Sequence, residues 1–514
     1  MKRHKEKKIK YMINKLLKIF IVLLLFVIIS CGQKSDDTNK EWVANQIEFL
    51  KENEQFKSKF EKTITNVFKE NRLSGDFLLA VVNEKGLAYS FAINKNILSN
   101  IPSILNNNSP IYIASHTKSF TGTLLKILED EGKIDLNKSV YEYLPELTFD
   151  DSIVTKQISV RQLLNHTHGI HSTQFTWKTA FLGYNGGNQE LIEVLNADFL
   201  YDPSHKFRYS NTGPIIAAMI VEKILGNSWK DEMNKRIFSL FNMNNTSAYV
   251  SDYNNDEIRH AITMTKDNEL FHSGFYKEDN TMHASGGIIS TINDLTKWLQ
   301  SNINHDYKLS ENIWEEMHGT TTTQDRTYFT YKRNGYSLGW DIATYQNNAI
   351  LTRFGGYAGI SFHISFMPSK NIGIIAFSTD NRATYLPHLA ANYAYNMINH
   401  SSDVENIYNN EKQLFDERFE KSSNRPLPLR DDRLLLNNDN DTLIGNYGNN
   451  LGWPDITIFQ DDSTYTIKWG VLKGTIYNIP NPKQPYVGIL GAVNRLFNVR
   501  NDSLFTGSLK YEKQ

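Results

Sequence analysis

A serine and a lysine three residues apart are the first residues in this chain that could do chemistry. They are Ser115 and Lys118, in the segment IASHTKSF at 113–120. The pattern that follows is helical, and residues three apart are neighbours on one helix face, so the lysine amine can approach the serine hydroxyl. A serine alcohol is a poor nucleophile unless a base takes its proton. Lysine becomes such a base when burial and nearby groups lower its pKa.

A helix that begins near Ser115 would assist this chemistry in two ways. The field of the helix favours developing negative charge, and the free N–H groups of the first turn can bind an oxyanion. On its own, however, Ser-x-x-Lys occurs by chance in many proteins. An N-capping serine followed by a surface lysine is the more ordinary explanation of the isolated motif.

Two further segments favour the catalytic interpretation of this motif over the structural one. Tyr209 and Asn211 place a phenol and an amide on a loop just before a predicted helix at 214–225. A phenolate near a lysine ammonium could shuttle protons between nucleophile and leaving group. The second segment begins at Arg353 and leads through glycines into a strand. Glycines allow the backbone to approach a ligand closely, and a backbone N–H can donate to an oxyanion.

The order Ser-x-x-Lys, Tyr-x-Asn and then a basic-x-Gly strand resembles the serine β-lactamase and penicillin-binding protein superfamily. The Tyr-x-Asn motif is similar to that of the class C-like branch, which includes class C β-lactamases, D-Ala-D-Ala carboxypeptidases, D-amino-acid amidases and esterases. Supporting segments lie at 160–170, 285–291 and 336–340. The resemblance covers roughly residues 55–400.

The resemblance implies a role for each of these residues. Ser115 attacks an acyl carbonyl and carries the acyl-enzyme, while Lys118 and Tyr209 share the general base and acid work. Asn211 binds the substrate amide or holds Lys118. Water then releases the acyl group, and no metal or organic cofactor is implied.

The third motif departs from the family pattern, because it usually starts with Lys or His and here starts with Arg353. Gly355 and Gly356 follow, and the resemblance implies an oxyanion hole made by the N–H groups of Gly356 and Ser115. Arginine cannot relay protons, but it can bind a carboxylate in a bidentate way. This predicts a substrate with a free carboxylate, such as a peptide C-terminus, and leaves β-lactam hydrolysis open. The alternative is a solvent-facing arginine on a diverged strand.

The remaining pattern predicts the elements that position these motifs. Strand-like runs at 77–82 and 87–92 flank a turn-rich segment, which predicts a hairpin, and further strand-like runs follow at 361–366 and 372–377. Strands at both ends of a helical region predict an α+β domain whose termini share one sheet. The resemblance implies a β-lactamase/transpeptidase-like fold, with an antiparallel sheet flanked by helices and a helical subdomain.

The N-terminus predicts an export signal. Residues 1–30 carry a charge of +7, and eleven uninterrupted apolar residues run from Ile19 to Ile29, fewer than the roughly 20 that a membrane span needs. Ser30-Cys31 resembles the lipobox of bacterial lipoproteins, in which the cysteine is lipidated. We therefore expect a signal peptide at 1–30, a tether at 31–50 and a lipid anchor to a membrane of the bacterial cell envelope, on its periplasmic or surface face. A plain secretory signal or an uncleaved anchor is the alternative.

Composition excludes several classes of protein. The chain of 514 residues is 40% hydrophobic and 22% charged, which is an ordinary globular balance. These figures exclude an intrinsically disordered protein, a collagen-like protein and a multi-span membrane protein. Subtracting the +7 of residues 1–30 from the net charge of -1 leaves -8 for the rest, which does not suit a nucleic-acid binder. Cys31 is the only cysteine, so the body has no disulfide, thiolate metal site or cysteine nucleophile. The His166–His171 cluster could suggest zinc, but no His-Glu-x-x-His occurs.

Three regions follow the tether. We predict a serine hydrolase domain at 51–400, a linker or partly helical connection at 401–435, and a small antiparallel β domain at 436–514. The connection is charged and rich in Asn and Asp, whereas the last region carries short β-branched and aromatic runs. That region lies outside the resemblance, although members of the family often carry an added β domain.

The sequence therefore predicts a lipid-anchored serine hydrolase that cleaves an amide or ester bond, as a carboxypeptidase, an esterase or a β-lactamase-like enzyme. The alternative is a catalytically weak or inactive relative that binds cell-wall peptides or a partner protein through the same cleft. The intact set of Ser115, Lys118 and Tyr209 favours the enzyme, and Arg353 keeps the binder open.

Overall fold

The computed structural model describes residues 54–95, 104–149, 153–184, 187–197, 199–264, 270–272, 276–399, 401–423, 434–435, 442–450, 452–461, 464–490, 493–507 and 509–514. The predicted signal peptide, Cys31 and the tether lie outside these residues and stay predictions. The chain divides into two units, Met1–Asn66 and Val67–Gln514. Of the first unit, residues 54–66 are described, and they are helical within helix α1 at 54–70. Among the described residues, no helix is long and apolar enough to cross a bilayer.

The second unit is built on an eight-stranded antiparallel sheet. Its strands are β1 (Phe77–Asn83), β2 (Gly86–Ile93), β3 (Thr322–Tyr328), β4 (Tyr331–Tyr336), β5 (Asp341–Tyr345), β6 (Asn348–Tyr357), β7 (Ile360–Met367) and β8 (Ile372–Ser378). Their order is β2-β1-β8-β7-β6-β5-β4-β3. β1 pairs with β8 from Phe77 opposite Ser378 to Asn83 opposite Ile372. The predicted hairpin and the predicted meeting of both ends in one sheet are therefore confirmed.

Helices accompany this sheet, and all of those named here except the last lie between β2 and β3 in the chain. They are α2 (Thr117–Asp130), α3 (Val140–Tyr143), α4 (Ile153–Gln157), α5 (Val160–Leu164), α6 (Thr173–Trp177), α7 (Gly187–Ala197), α8 (Thr212–Leu225), α9 (Trp229–Met233), α10 (Ile292–Asn304), α11 (Glu311–His318) and α12 (Leu386–Ile398). π-helical turns at Lys178–Leu182 and Asn234–Phe238 extend α6 and α9. Helices α10 and α12 pack on the sheet, and α2 packs among α8, α9 and α11. Helix α2 is buried from Thr117 to Leu128, so it forms the centre of the core.

The predicted linker contains a long helix, α13 (Val404–Ser423), which packs on α12. Only Glu411 and Phe415 of α13 are buried. The Tyr345 hydroxyl donates to Glu411 over 2.8 Å, and the Asn392 amide donates to it over 2.8 Å. Because the other side chains of this helix are exposed or only partly buried, its composition resembles that of a connection. The segment is nevertheless joined to the domain by a buried polar network.

The C-terminal region is an antiparallel β domain, as predicted, and it closes into a barrel. Its eight strands are β9 (Gly445–Gly448), β10 (Ile456–Asp461), β11 (Thr464–Trp469), β12 (Leu472–Asn478), β13 (Tyr486–Leu490), β14 (Val493–Arg500), β15 (Ser503–Thr506) and β16 (Leu509–Lys513). Each strand pairs with the next, and β16 returns to β9, with Tyr447 opposite Lys513. Buried aromatic side chains, including Tyr447, Trp469 and Phe497, pack in its hydrophobic core. The short strand Leu434–Leu435 pairs with β12 outside this ring of eight.

Candidate active site

Ser115 lies at the entrance to helix α2. A short 3-10 turn, Ala114–His116, leads directly into the helix, so the helical turn predicted here is present. Ala114 has φ +45°, a left-handed conformation that is unfavourable for a residue with a Cβ. The Ile113 N–H donates to the carbonyl of Ile288 over 3.1 Å and holds the turn in place. Strained backbone of this kind is concentrated at functional sites.

Lys118 is buried one turn further on, with its ammonium nitrogen 3.4 Å from Ser115 Oγ. Two acceptors take its other hydrogens, namely Asn211 Oδ1 at 2.8 Å and the Ser285 carbonyl at 2.8 Å. The Lys118 nitrogen has three positions for a hydrogen or a lone pair. Two of them are occupied by these hydrogen bonds, and the third points at Ser115. It can hold an N–H when the amine is charged or a lone pair when it is neutral. Burial lowers the pKa of Lys118 to about 8, against the opposing effect of Tyr209, so both forms are accessible near neutrality.

Tyr209 and Asn211 approach Lys118 from the start of helix α8. Asn211 stands at the N-cap position, but its side chain caps no backbone N–H because its oxygen accepts from Lys118. The Lys118 nitrogen lies 4.7 Å from the centre of the Tyr209 ring. Burial raises the pKa of Tyr209, but the charges of Arg353 and Lys118 overcome this and lower it below its ordinary value.

Arg353 occupies the third motif as a buried residue, 3% exposed, so the alternative of a solvent-facing arginine is wrong. Its NH1 donates to Asp341 Oδ2 over 2.8 Å, and the guanidinium carbon lies 4.6 Å from the centre of the Tyr209 ring. Gln324 donates to the other oxygen of Asp341 over 2.9 Å. Arg353 is thus fixed by Asp341 beside the phenol. Only part of the guanidinium is left to meet a substrate carboxylate.

Gly355 and Gly356 bring strand β6 against the nucleophile turn. A Cβ on Gly355 would lie 2.5 Å from the Ile113 carbonyl oxygen, so only glycine permits this approach. The pairing of β6 with β5 ends at Thr352, and the described residues beyond it pair with β7 alone. One edge of β6 is therefore unpaired where Gly356 lines the cavity at Ser115. Such an edge can offer backbone N–H groups to a ligand.

The cavity at Ser115 has a volume of about 270 Å³. Ser115, Tyr209 and Gly356 form part of its wall, and further residues were not anticipated from the sequence. Those residues are Arg326, Tyr328, Arg333, Phe354, Ser361, Phe362, His363, Thr384, Pro387 and His388. With Arg353 the wall contains three arginines and no carboxylate, so its charge favours an anion.

The histidine loop packs beside Tyr209, with the centres of the His166 and Tyr209 rings 4.7 Å apart. His166 Nδ1 accepts the N–H of Ser210 over 3.4 Å, and its Nε2 lies 3.1 Å from the Tyr336 hydroxyl. His168 Nδ1 accepts the N–H of Ile170 over 3.0 Å. Burial, followed by the charge of Lys118, holds the pKa of His166 well below its usual range, so this ring is neutral. In the described part of the chain, no three His, Cys, Asp or Glu residues are placed to hold a metal ion.

The structure thus brings together all seven residues that the sequence singled out in this region. They are Ser115, Lys118, Tyr209, Asn211, Arg353, Gly355 and Gly356. Ser285 and Asp341 are the polar partners that sequence reasoning missed. Ser285 and the residues just before Asp341 fall in segments noted for their resemblance, which is the only signal that pointed to them.

Comparison with known proteins shows a family match over most of the chain. Residues 60–394 match the protein-family model described as Beta-lactamase. The relative named Protein flp from Staphylococcus aureus (strain N315) is 25% identical over 314 residues, which is 59% of this chain and 59% of the relative. The chain therefore spans less than two thirds of the length of the curated relatives it matches.

Solved structures share the fold at low identity. The octameric penicillin-binding protein homologue from Pyrococcus abyssi has a TM-score of 0.58 at 18% identity, covering 88% of this chain and 99% of its own. A D-amino acid amidase from Ochrobactrum anthropi SV3, complexed with L-phenylalanine amide, has a TM-score of 0.54 at 17% identity, covering 71% and 99%. A class C β-lactamase mutant has a TM-score of 0.51 at 19% identity, covering 67% and 98%. The predicted α+β fold with its added β domain is confirmed.

Proposed function

Because the chain belongs to the beta-lactamase family, we propose that it is a serine hydrolase that cleaves an amide or ester bond through an acyl-enzyme on Ser115. The observation that carries this proposal is the setting of Lys118. Its nitrogen is buried, is held by Asn211 and Ser285, and has its remaining direction aimed at the Ser115 hydroxyl 3.4 Å away. A surface lysine beside a capping serine would have no reason to be held in this way.

The first half of the reaction forms the acyl-enzyme. The Lys118 and Tyr209 pair takes the proton of Ser115 as Oγ bonds to the acyl carbon and the carbonyl oxygen becomes an oxyanion. The N–H groups of Ser115 and Gly356 stabilise that oxyanion. As the tetrahedral intermediate collapses, the bond to the leaving nitrogen or oxygen breaks and the pair delivers its proton to that atom.

The second half of the reaction releases the acyl group. Water gives a proton to the same pair and attacks the acyl carbon, the bond to Oγ breaks, and the proton returns to Ser115. Arg353 acts on this cycle through electrostatics. Its charge, fixed by Asp341 beside the Tyr209 ring, favours the phenolate. The Lys118 and Tyr209 pair therefore keeps one site free to accept the proton of Ser115. An arginine can do this although it cannot itself relay a proton.

The preferred substrate carries a carboxylate. Arg333 is nine-tenths buried in the cavity wall, lies 3.7 Å from Asp341, and its Nε has no hydrogen-bond partner in the described part of the structure. The cavity wall also includes the N-terminal end of helix α12, through Thr384, Pro387 and His388. This helix end has no side-chain cap and no acidic residue in its first turn. A helix N-terminus and a free guanidinium N–H both favour an anion. The carboxylate expected at Arg353 is therefore assigned to Arg353 and Arg333 together.

Parallel hydrolysis assays test this proposal. A short-chain ester, a β-lactam and a D-Ala-D-Ala peptide are compared, the peptide also as its C-terminal carboxamide. We expect turnover that Ser115→Ala abolishes, and a preference for the carboxylate of about 10- to 100-fold that Arg333→Gln removes, as expected for a charge-assisted hydrogen bond of about 1.5–3 kcal/mol. Binding of the peptide without turnover of any substrate would support the inactive binder. Equal rates for the carboxylate and the carboxamide would refute the substrate class.

A lipid anchor at Cys31 is a further part of the proposal. It rests on the basic and apolar sequence of residues 1–30 and on the match of Ser30-Cys31 to a lipobox. An anchored hydrolase would act at the membrane surface of the cell envelope. Its substrates would then be molecules of the envelope space, where cell-wall peptides with free carboxylates occur.

A further inference from the structure

The barrel is attached to the hydrolase region through the π-helical turn Lys178–Leu182. The Val471 N–H donates to the Leu182 carbonyl over 2.9 Å, and Lys178 Nζ donates to the Gly452 carbonyl over 2.8 Å. The rings of Trp177 and Trp469 stack with their centres 5.8 Å apart. Leu182 belongs to the hydrophobic cluster that fills the barrel. The contact is therefore a continuation of the barrel core, and it includes one backbone–backbone hydrogen bond and one from a lysine side chain to the backbone.

The same cluster reaches the strand that lines the active site. Tyr357 and Ala358, the two residues after Gly356, pack against the barrel core. The Phe181 ring, from the π-helical turn, stacks on Tyr357 with centres 6.2 Å apart and planes 18° apart. Tyr357 thus packs on the cluster that joins the π-helical turn to the barrel, and it stacks on Phe181. Outside the barrel, its ring also lies 5.6 Å from the Tyr112 ring and 4.2 Å from the Lys277 ammonium.

This end of β6 needs external support for two reasons. The pairing of β6 with β5 ends at Thr352, and residues 353–356 pair with β7, so their position depends on β7, on the close approach of Gly355 to the Ile113 turn and on side-chain anchors. The hairpin that follows has Ala358 at φ +48° and Gly359 at φ +94°. A left-handed alanine is unfavourable and persists only where packing imposes it. The packing present at Ala358 is that of the barrel.

We propose that the C-terminal barrel positions the oxyanion-binding strand, with Phe181 and Tyr357 as positioning residues that fix the backbone N–H of Gly356. This inference rests on the proposed function. It assigns the barrel a role in transition-state stabilisation, distinct from substrate binding, because Phe181 and Tyr357 are not among the residues that line the cavity at Ser115. Loss of a correctly placed oxyanion donor lowers kcat with little effect on KM.

A pair of glycines in the barrel provides a matched test. Gly470 and Gly507 have φ values of +59° and +60°, so alanine imposes the same backbone strain at each. At Gly470 the new Cβ would lie 2.1 Å from the Leu182 carbonyl oxygen and force the docking contact apart. At Gly507 the nearest atom is 3.8 Å away, at the end of the Arg495 side chain. Phe181→Ala is a second probe that leaves the barrel turn intact.

Steady-state hydrolysis of a short-chain ester is measured for the full-length wild type and these three variants, with thermal unfolding as the check on folding. For Gly470→Ala and Phe181→Ala we expect kcat to fall about tenfold or more, with KM within about twofold and the pH profile unmoved, whereas Gly507→Ala matches the wild type. Wild-type kcat in both Gly470→Ala and Phe181→Ala would overturn the inference while the proposed function stands. No turnover in the wild type would refute the proposed function, and the inference with it.

Discussion

Replacing Arg353 with methionine tests how the protein keeps its phenol reactive. The guanidinium lies 4.6 Å from the Tyr209 ring centre, and Coulomb's law at an effective dielectric constant of about 20 gives about 3.6 kcal/mol for unit charges at that distance. Asp341 cancels part of this charge in the wild type, so we expect kcat/KM at neutral pH to fall about 100-fold. Without Arg353 the pKa values of both Tyr209 and Lys118 rise, since Arg353 lowers each of them.

The direction of the pH effect follows from the form of the pair that reacts. The reactive pair must accept a proton, so activity is lost as pH falls through the pKa of the pair, and a raised pKa moves this acid limb to higher pH. Hydrolysis of a short-chain ester is followed from about pH 5 to about pH 10 for wild type, Arg353→Met and the charge-retaining control Arg353→Lys. Arg353→Met/Asp341→Asn, which leaves no orphaned buried carboxylate, controls for unfolding. A loss in Arg353→Met that is equal at every pH would refute the electrostatic role.

Three other predictions concern separate parts of the chain. Asn211→Leu removes an acceptor from the buried Lys118 ammonium, at a cost of about 1.5–3 kcal/mol, so ester turnover should fall about 10- to 100-fold, and a wild-type rate would show that this contact does not matter. Burial raises the pKa of Glu411 to about 7; its folded-state pKa thus exceeds the unfolded one, and the stability it contributes is present at low pH and lost as pH rises to about 7. Glu411→Gln should therefore flatten the decline in melting temperature between about pH 5 and pH 8, and parallel curves for the two proteins would contradict this. Cys31→Ala should move the protein from the detergent phase to the aqueous phase in detergent partitioning of producing cells, and unchanged partitioning would refute lipidation at this residue.

Local chemistry could be predicted from the sequence because it depends on short spacings. Ser115 and Lys118 meet since residues three apart share a helix face, and the β1–β2 hairpin follows from a turn between two apolar runs. The glycines before Tyr357 predicted a close approach of backbone to the site, and Gly355 makes one against Ile113.

Contacts set by distant strand pairing could not be predicted in the same way. Asp341 reaches Arg353 because β5 and β6 pair with Asp341 opposite Thr352, and Arg333 joins them from β4. No local pattern marks such partners. The barrel shows the same limit: alternation predicts its strands, but closure depends on Tyr447 meeting Lys513 across the whole domain.

A covalent adduct on Ser115 would identify this residue as the nucleophile. The wild-type protein is treated with an active-site phosphonate, and the intact mass and the peptide that contains residue 115 are measured by mass spectrometry, with Ser115→Ala as the control. We expect one adduct per chain, located on Ser115, that is absent from Ser115→Ala and forms more slowly in Arg353→Met at neutral pH. A wild-type protein that stays unlabelled, or that is labelled at another residue, would contradict this expectation.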